Sequence, residues 1–241
     1  MIYIAYRGRL GNKLMQYVLA RILGEKFDQF VSYSLDVPDF PLIKTNIINK
    51  KIYKKTILVD DDNFLEILES QNLNSTNLVL SGYFLNKLFV SKYHKNILKL
   101  FNINYENKKG VFLHYRIGDF RKYKNRLVAH EYYIYCLDEI LKTSNEKIYM
   151  STDSPDHDLI KNLQKKYEIN LIEKSPKNTI IYGSQFENKI LSLGTFSWWI
   201  GFLSNQNNVY CPNIKEYGYF TDIFPLERWK SVSEKEYLNK K

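Results

Sequence analysis

Residues 111–119 read VFLHYRIGD, an apolar run that becomes polar at its end. Strand periodicity predicts that Phe112, His114 and Arg116 share one face, because successive side chains of a strand point to opposite faces. In α/β sheets, ligands bind beyond the carboxyl ends of the strands, and a planar guanidinium matches phosphate oxygens. The stretch therefore predicts a strand that carries Arg116 to a phosphate site. The pattern equally allows a partly buried pair of Arg116 with Asp119 that closes the turn.

The rest of the second half alternates predicted strands with predicted helices. The predicted strands are 111–117, 147–151, 169–173 and 208–211. The predicted helices are 130–141, 155–167, 184–193 and 197–204. Ser154 and Pro155 have the residue types of a helix cap and a first helical residue. This alternation predicts an α/β fold whose parallel sheet is covered by helices on both faces.

The first half follows a similar plan with less regularity. Its predicted elements are a strand at 2–6, a turn at Gly8–Gly11, a helix from Asn12, an irregular stretch with Pro38 and Pro41, a helix near 63–71, a strand at 77–83 and a helix at 88–101. The polar run at 102–110 predicts a linker. We therefore expect an N-terminal domain of residues 1–105 and a C-terminal domain of residues 106–241.

A second candidate phosphate segment lies at 193–203, which reads LGTFSWWIGFL. Gly194 lets the backbone approach a ligand closely, and Thr195 and Ser197 offer hydroxyl and amide groups at a predicted helix start. Trp198 and Trp199 by themselves are better explained as core residues. The combination of a polar helix start with an apolar helix is what favours a binding site here.

Two further turns are weaker candidates. The glycine turn that contains Gly11 precedes Asn12, which either caps the following helix or points its amide towards a ligand. Asp153 follows the predicted strand 147–151, where it either accepts hydrogen bonds from a guanine edge or a ribose hydroxyl or only shapes the turn.

Composition excludes several classes of protein. The 241 residues include 35 Lys and Arg against 26 Asp and Glu, a formal charge of +9. No apolar run is long enough for a membrane span, and the two cysteines form no disulfide framework. We expect a cytoplasmic protein, with peripheral association at the inner membrane surface left open. The positive charge fits either solvated lysines or an anionic partner: a diphosphate donor, an acidic polysaccharide or a membrane.

A basic nucleic-acid-binding protein without catalytic activity is the alternative from another class. Such a domain would interleave aromatic and basic residues on an exposed surface. Trp198 and Trp199 instead lie in an apolar predicted helix. We therefore expect no nucleic-acid partner.

Taken in order, the motifs resemble those of the α-1,2-fucosyltransferases of glycosyltransferase family 11. The family motif G-x-L-G-N-Q is matched at Gly8–Asn12, S-G-Y-F at Ser81–Phe84, H-x-R-R-G-D at His114–Asp119 and S-T-F-S-W-W at Gly194–Trp199. Two departures matter: Lys13 stands in place of the glutamine, and Ile117 in place of the second arginine. With Ile117, the string is similar to that of the protein O-fucosyltransferases, which belong to the same wider superfamily.

This resemblance implies a GT-B-like fold with two Rossmann-like halves facing across a cleft. The N-terminal half would be the acceptor side, and the C-terminal half would bind the nucleotide sugar. It implies an inverting, metal-independent fucosyltransferase of polysaccharide biosynthesis that uses GDP-fucose, needs no cofactor, and acts on an oligosaccharide or a lipid-linked glycan. A related transferase with another nucleotide sugar, or a protein O-fucosyltransferase, is the alternative among enzymes.

The resemblance also suggests a role for each candidate residue. Arg116 would stabilise the charge that builds on the β-phosphate, and His114 would assist it. Asp119 would act as the general base or would orient Arg116. The donor-binding candidates are Gly11, Asn12, Asp153, Thr195, Phe196 and Ser197. The acidic run Asp60–Asp62 is interpreted as plain surface, and no metal ligand is expected.

Overall fold

The computed structural model describes residues 1–32, 53–123, 126–143, 145–205, 208–217 and 223–239. The chain divides into two compact units, Met1–Ile103 and Asn104–Lys241. This boundary lies inside the polar run at 102–110, although Lys108 already begins a strand of the second unit. The irregular stretch predicted around Pro38 and Pro41 lies outside the described residues.

The first unit contains a parallel sheet of four strands among its described residues. Its elements are β1 (Ile2–Ile4), α1 (Leu10–Lys26), β2 (Val31–Ser32), β3 (Lys55–Val59), α2 (Phe64–Glu69), β4 (Thr76–Leu80), α3 (Lys87–Lys92) and α4 (His94–Phe101). The strand order is β2-β1-β4-β3, so β1 and β4 form the centre. The turns that follow β1 and β4 therefore lie at the same edge of this sheet.

Two helix predictions in this unit need correction. Helix α1 begins at Leu10 with Arg9 as its cap residue, so Asn12 lies in the first turn and does not cap the helix. The single helix predicted at 88–101 is two helices, because the backbone leaves helical geometry at Tyr93. Asn86 caps the first of the two by accepting a hydrogen bond from the amide of Phe89.

The second unit is built on a parallel sheet of six described strands. Its elements are β5 (Lys108–Tyr115), α5 (His130–Leu141), β6 (Ile148–Thr152), α6 (Asp158–Lys166), β7 (Ile169–Leu171), α7 (Pro176–Ser184), β8 (Phe186–Ile190), α8 (Thr195–Phe202), β9 (Asn208–Pro212), β10 (Lys230–Val232) and α9 (Glu234–Leu238). The strand order is β10-β9-β8-β5-β6-β7. Strand β5 is thus central, with β8 on one side and β6 on the other.

Helices cover both faces of β5, as the alternation predicted. On one face, the ring of His114 contacts Phe196 of α8, with centroids 4.9 Å apart. On the other face, Tyr115 stacks on Tyr133 of α5 at 3.8 Å. The α/β class with parallel sheets is therefore confirmed.

The helix predicted at 184–193 is wrong, because this stretch contains the strand β8. Asn188, Lys189 and Ile190 are all buried, since a central strand is covered on both faces and shows no alternation. The ammonium group of Lys189 donates to the carbonyl of Phe186, which makes the burial of a lysine tolerable. The preceding helix α7 was missed, although Ser175 caps it and Pro176 is its first residue.

A smaller correction concerns the start of α6 in this unit. Helix α6 begins at Asp158, later than the predicted start at Pro155. Its cap is His157, whose Nδ1 accepts from the amide of Leu159 at 3.2 Å. Helix α9 begins with a capping box of Ser233 and Glu236. Among the described residues, no helix is long and apolar enough to cross a bilayer.

Candidate functional site

The carboxyl end of β5 holds Arg116 in a fixed orientation. Its Nη2 donates to both carboxylate oxygens of Asp119, at 2.9 and 3.0 Å, and its Nε donates to Oδ1 at 3.2 Å. The guanidinium carbon lies 4.2 Å from the centre of the Phe120 ring. Only 15% of the Arg116 side chain is exposed. The paired arrangement that the sequence left open is therefore present, and Asp119 orients Arg116.

The third guanidinium nitrogen, Nη1, faces the start of α8. A Cβ added at Gly194 would lie 3.4 Å from Nη1 of Arg116 and 3.5 Å from Phe120. Gly194 has a φ of 97° and a ψ of 157°, a conformation that is nearly restricted to glycine. In the described part of the chain, Nη1 donates to no side chain or carbonyl. Gly194 thus leaves space for the guanidinium of Arg116 at the helix start, and it allows the backbone conformation that this close approach requires.

His114 is hydrogen-bonded to the same helix start. Its Nδ1 lies 2.5 Å from Oγ of Ser197. Burial and, less strongly, the charge of Arg116 lower the pKa of His114 to about 4, against a weaker opposite effect of Asp153. The imidazole is therefore neutral at neutral pH. It acts as a hydrogen-bonding group and leaves Arg116 to supply the charge.

Helix α8 adds backbone groups to this arrangement. Thr195 and Ser197 are buried and Phe196 is half-buried. The first helical hydrogen bond runs from the amide of Trp198 to the carbonyl of Gly194, at 3.1 Å. Amide groups before it have no carbonyl acceptor inside the helix, and the helix dipole is positive at this end. A guanidinium beside a helix start is an arrangement that binds anions.

Asp153 contacts the backbone of the turn that follows β5. Its Oδ1 accepts from the amides of Ile117, at 2.9 Å, and Gly118, at 3.0 Å. A Cβ at Gly118 would lie 2.5 Å from Oδ2 of the same carboxylate. Asp153 therefore holds the turn that carries Arg116, a role that sequence reasoning did not identify. Its carboxylate remains exposed enough to meet a ligand.

The other predicted donor-binding residues, Gly11 and Asn12, belong to the first unit. Gly11 is buried and Asn12 is half-buried at the start of α1. Gly8 has a φ of 75°, and a Cβ there would lie 2.4 Å from Nδ2 of Asn12. The side chain of Gln16 makes two hydrogen bonds of 3.0 Å with the backbone of Arg7. A glutamine within an apolar helix pattern was the signal for this anchor, and sequence reasoning missed it.

The acidic run at Asp60–Asp62 includes a residue, Asp61, that accepts structural hydrogen bonds. Asp61 accepts from the amide of Tyr83 at 3.0 Å and from the amide of Phe84 at 2.5 Å. It therefore holds the S-G-Y-F segment, which corrects the interpretation as plain surface. The described residues include no group of three or more His, Cys, Asp or Glu side chains that could hold a metal ion.

Comparisons with known proteins place the chain in a family. The model of the family "Glycosyl transferase family 11" matches residues 83–220, more than half of the chain and including Arg116 and α8. A similar solved structure is that of an Arabidopsis thaliana FUT1 mutant in complex with GDP. It has a TM-score of 0.51 and 11% identity, over 85% of this chain and 68% of that one.

No curated protein matches the sequence. The likeness to the FUT1 structure is one of fold, and it confirms the GT-B-like fold class expected from the motifs. The family expected from the same motifs is confirmed by the match over 83–220. The chain therefore belongs to glycosyl transferase family 11 and is a glycosyltransferase.

Proposed function

We propose that this glycosyltransferase moves L-fucose from GDP-fucose to a glycan hydroxyl, forming an α-1,2 linkage with inversion and without a metal. The observation that carries the proposal is the Arg116 guanidinium, held by Asp119 and turned towards the glycine start of α8. That arrangement suits the diphosphate of a nucleotide sugar. The GDP in the FUT1 structure of similar fold supports the choice of guanosine diphosphate.

In this mechanism, the transition state combines an oxocarbenium-like sugar with a departing diphosphate. Charge builds on the β-phosphate as the bond to the sugar breaks. Nη1 of Arg116 and the first amides of α8 donate hydrogen bonds to that phosphate. A preorganised donor of this kind contributes about 3 kcal/mol to the transition state. His114, being neutral, orients the hydroxyl of Ser197 and adds no charge.

The acceptor hydroxyl loses its proton during transfer, so another group must accept that proton. Asp119 is occupied by Arg116 through both of its oxygens, so we assign it to orientation and not to general-base catalysis. In that case, a phosphate oxygen of the donor takes the proton. Asp153 positions the turn beside Arg116.

The donor is tested by thermal unfolding with GDP-fucose, GDP-mannose, UDP-galactose and dTDP-rhamnose. A ligand at about 100 times its Kd stabilises the folded state by ~2.7 kcal/mol. We expect GDP-fucose to raise Tm most. Stabilisation by UDP-galactose or dTDP-rhamnose without any by GDP-fucose would show that the donor is a different nucleotide sugar. Release of GDP in the presence of candidate glycans then identifies the acceptor.

Two expected partners are tested separately. Sedimentation with vesicles that contain anionic lipid measures membrane association. A salt titration of binding to duplex DNA tests the non-catalytic alternative, because affinity that depends on phosphate contacts falls steeply with salt. We expect no DNA binding at physiological salt.

A further inference from the structure

Helix α8 is held at its carboxyl end by Arg228. Nη2 of Arg228 donates to the carbonyls of Phe202 and Ser204, each at 3.2 Å. The last carbonyls of a helix lack partners inside it, and a cation there also opposes the negative end of the dipole. Tyr105 completes the cap by donating to the carbonyl of Leu203 at 2.7 Å.

Arg228 is committed to these carbonyls. It is half-buried, and none of the ion pairs among the described residues joins it to a carboxylate. Burial also lowers the pKa of Arg228, so the guanidinium has exchanged part of its water for backbone oxygens. A cationic side chain that is partly desolvated and has no carboxylate partner is expected to stabilise the backbone carbonyls that it contacts.

Two further contacts join α8 to the segment around Arg228. A Cβ at Gly201 would lie 2.6 Å from Cζ2 of Trp229, so the indole packs directly on the helix backbone. Nε1 of Trp198, in the first half of the helix, donates to the carbonyl of Ile223 at 2.9 Å. The segment 223–229 therefore contacts the helix near both ends. It lies beyond the part of the chain that matches the family model, residues 83–220.

A short helix transmits displacement along its whole length. Eight residues span about 12 Å, and intrahelical hydrogen bonds resist bending. At the far end of α8 lie Gly194 against Arg116 and Ser197 against His114. A misplacement of about 1 Å in a catalytic group can reduce a rate by about 100-fold.

We propose that Arg228 is a positioning residue for sugar transfer: by capping α8, it sets the position of the helix start beside Arg116. This inference rests on the proposed function of that helix start as the diphosphate site. Arg228 itself touches no reacting atom and acts through α8.

The test compares Arg228→Met, which removes the donors, with Arg228→Lys, which keeps the charge and one donor group. We expect kcat of Arg228→Met to fall by about 10- to 100-fold with a smaller change in KM for the donor. Arg228→Lys should recover part of the loss. Hydrogen exchange of the peptide 194–204 should be faster in Arg228→Met, including the amide of Trp198. If Arg228→Met does not fold, Arg228→Lys alone should show intermediate changes in both measurements.

Ile160→Val is the matched control for a purely structural effect. Ile160 is a buried core residue of α6 and not of α8, so we expect its truncation to lower Tm through the core alone. We expect Ile160→Val to leave kcat and the exchange of peptide 194–204 unchanged. The proposal is overturned if Arg228→Met keeps kcat within about 2-fold of the parent, or if its exchange at 194–204 is unchanged. Should the parent turn over no nucleotide sugar, the proposed function fails, whereas the exchange comparison still decides whether Arg228 positions the helix.

Discussion

His114 on β5 and Ser197 on α8 are joined by a buried hydrogen bond of 2.5 Å between Nδ1 and Oγ. The bond connects the central strand to the helix start that faces Arg116. Because the imidazole is neutral, the site combines one guanidinium charge with neutral donors. This relationship and its neighbours lead to four predictions.

Arg116→Ala should nearly abolish transfer while the protein stays folded. We expect kcat to fall by about 100-fold or more, because a preorganised donor at the developing phosphate charge is lost. Arg116→Lys should recover little, since an ammonium cannot keep the forked contact with Asp119. Arg121→Ala, at an exposed position of the turn that follows, is the matched control and should retain full activity. Near-normal turnover by folded Arg116→Ala would show that the assignment is wrong.

His114 should make the protein less stable in acid. Its folded pKa of about 4 is below the ordinary value of 6.5, so the unfolded chain binds more protons between these values. Stability is therefore lost as pH falls from about 6.5 towards 4. His114→Asn keeps an amide near the Nδ1 position. Between pH 7 and 4.5, its free energy of unfolding should fall by about 2 kcal/mol less than that of the parent. Urea unfolding at the two pH values measures this, and equal losses would contradict it.

Gly194→Ala should impair both stability and activity. At φ 97° and ψ 157°, a side chain costs about 1–3 kcal/mol, and the new methyl group would contact Arg116. Gly110→Ala is the matched control, because Gly110 also has a positive φ, of 116°, but lies near Lys147 and not at the site. We expect both variants to lower Tm and only Gly194→Ala to lower kcat. A comparable loss of kcat in both would mean that strain alone accounts for the effect.

Asp153 variants separate two roles for this carboxylate. If Asp153 mainly holds the turn at Ile117 and Gly118, Asp153→Asn keeps an acceptor oxygen and should bind GDP within about 3-fold of the parent. Asp153→Ala should lower stability by about 1–2 kcal/mol, the net value of two backbone hydrogen bonds. Calorimetric titration with GDP and urea unfolding provide the two measurements. A loss of GDP affinity in Asp153→Asn of 10-fold or more, about 1.4 kcal/mol, would indicate direct contact with the guanine or ribose.

Local patterns predicted some elements well. Helix α5 has the predicted bounds, His130–Leu141, because its apolar spacing fits one covered helix face. Strand β8 was predicted as a helix, because a strand buried on both faces lacks the alternation that identifies strands. The late start of α6 at Asp158 depended on a cap by the His157 ring, which is not among the common cap residues.

The sequence by itself determined the α/β class, the family motifs and the strand that carries His114 and leads to Arg116, since these depend on residue type and on the period of a strand. Only the tertiary structure decided that Asp119 orients Arg116, that Gly194 faces the same guanidinium, and that Arg228 caps α8. Such contacts join residues as far apart as His114 and Ser197, which are 83 positions apart in the chain. They exist because the sheet order places β8, and α8 after it, beside β5, and periodicity along a chain carries no information about that order.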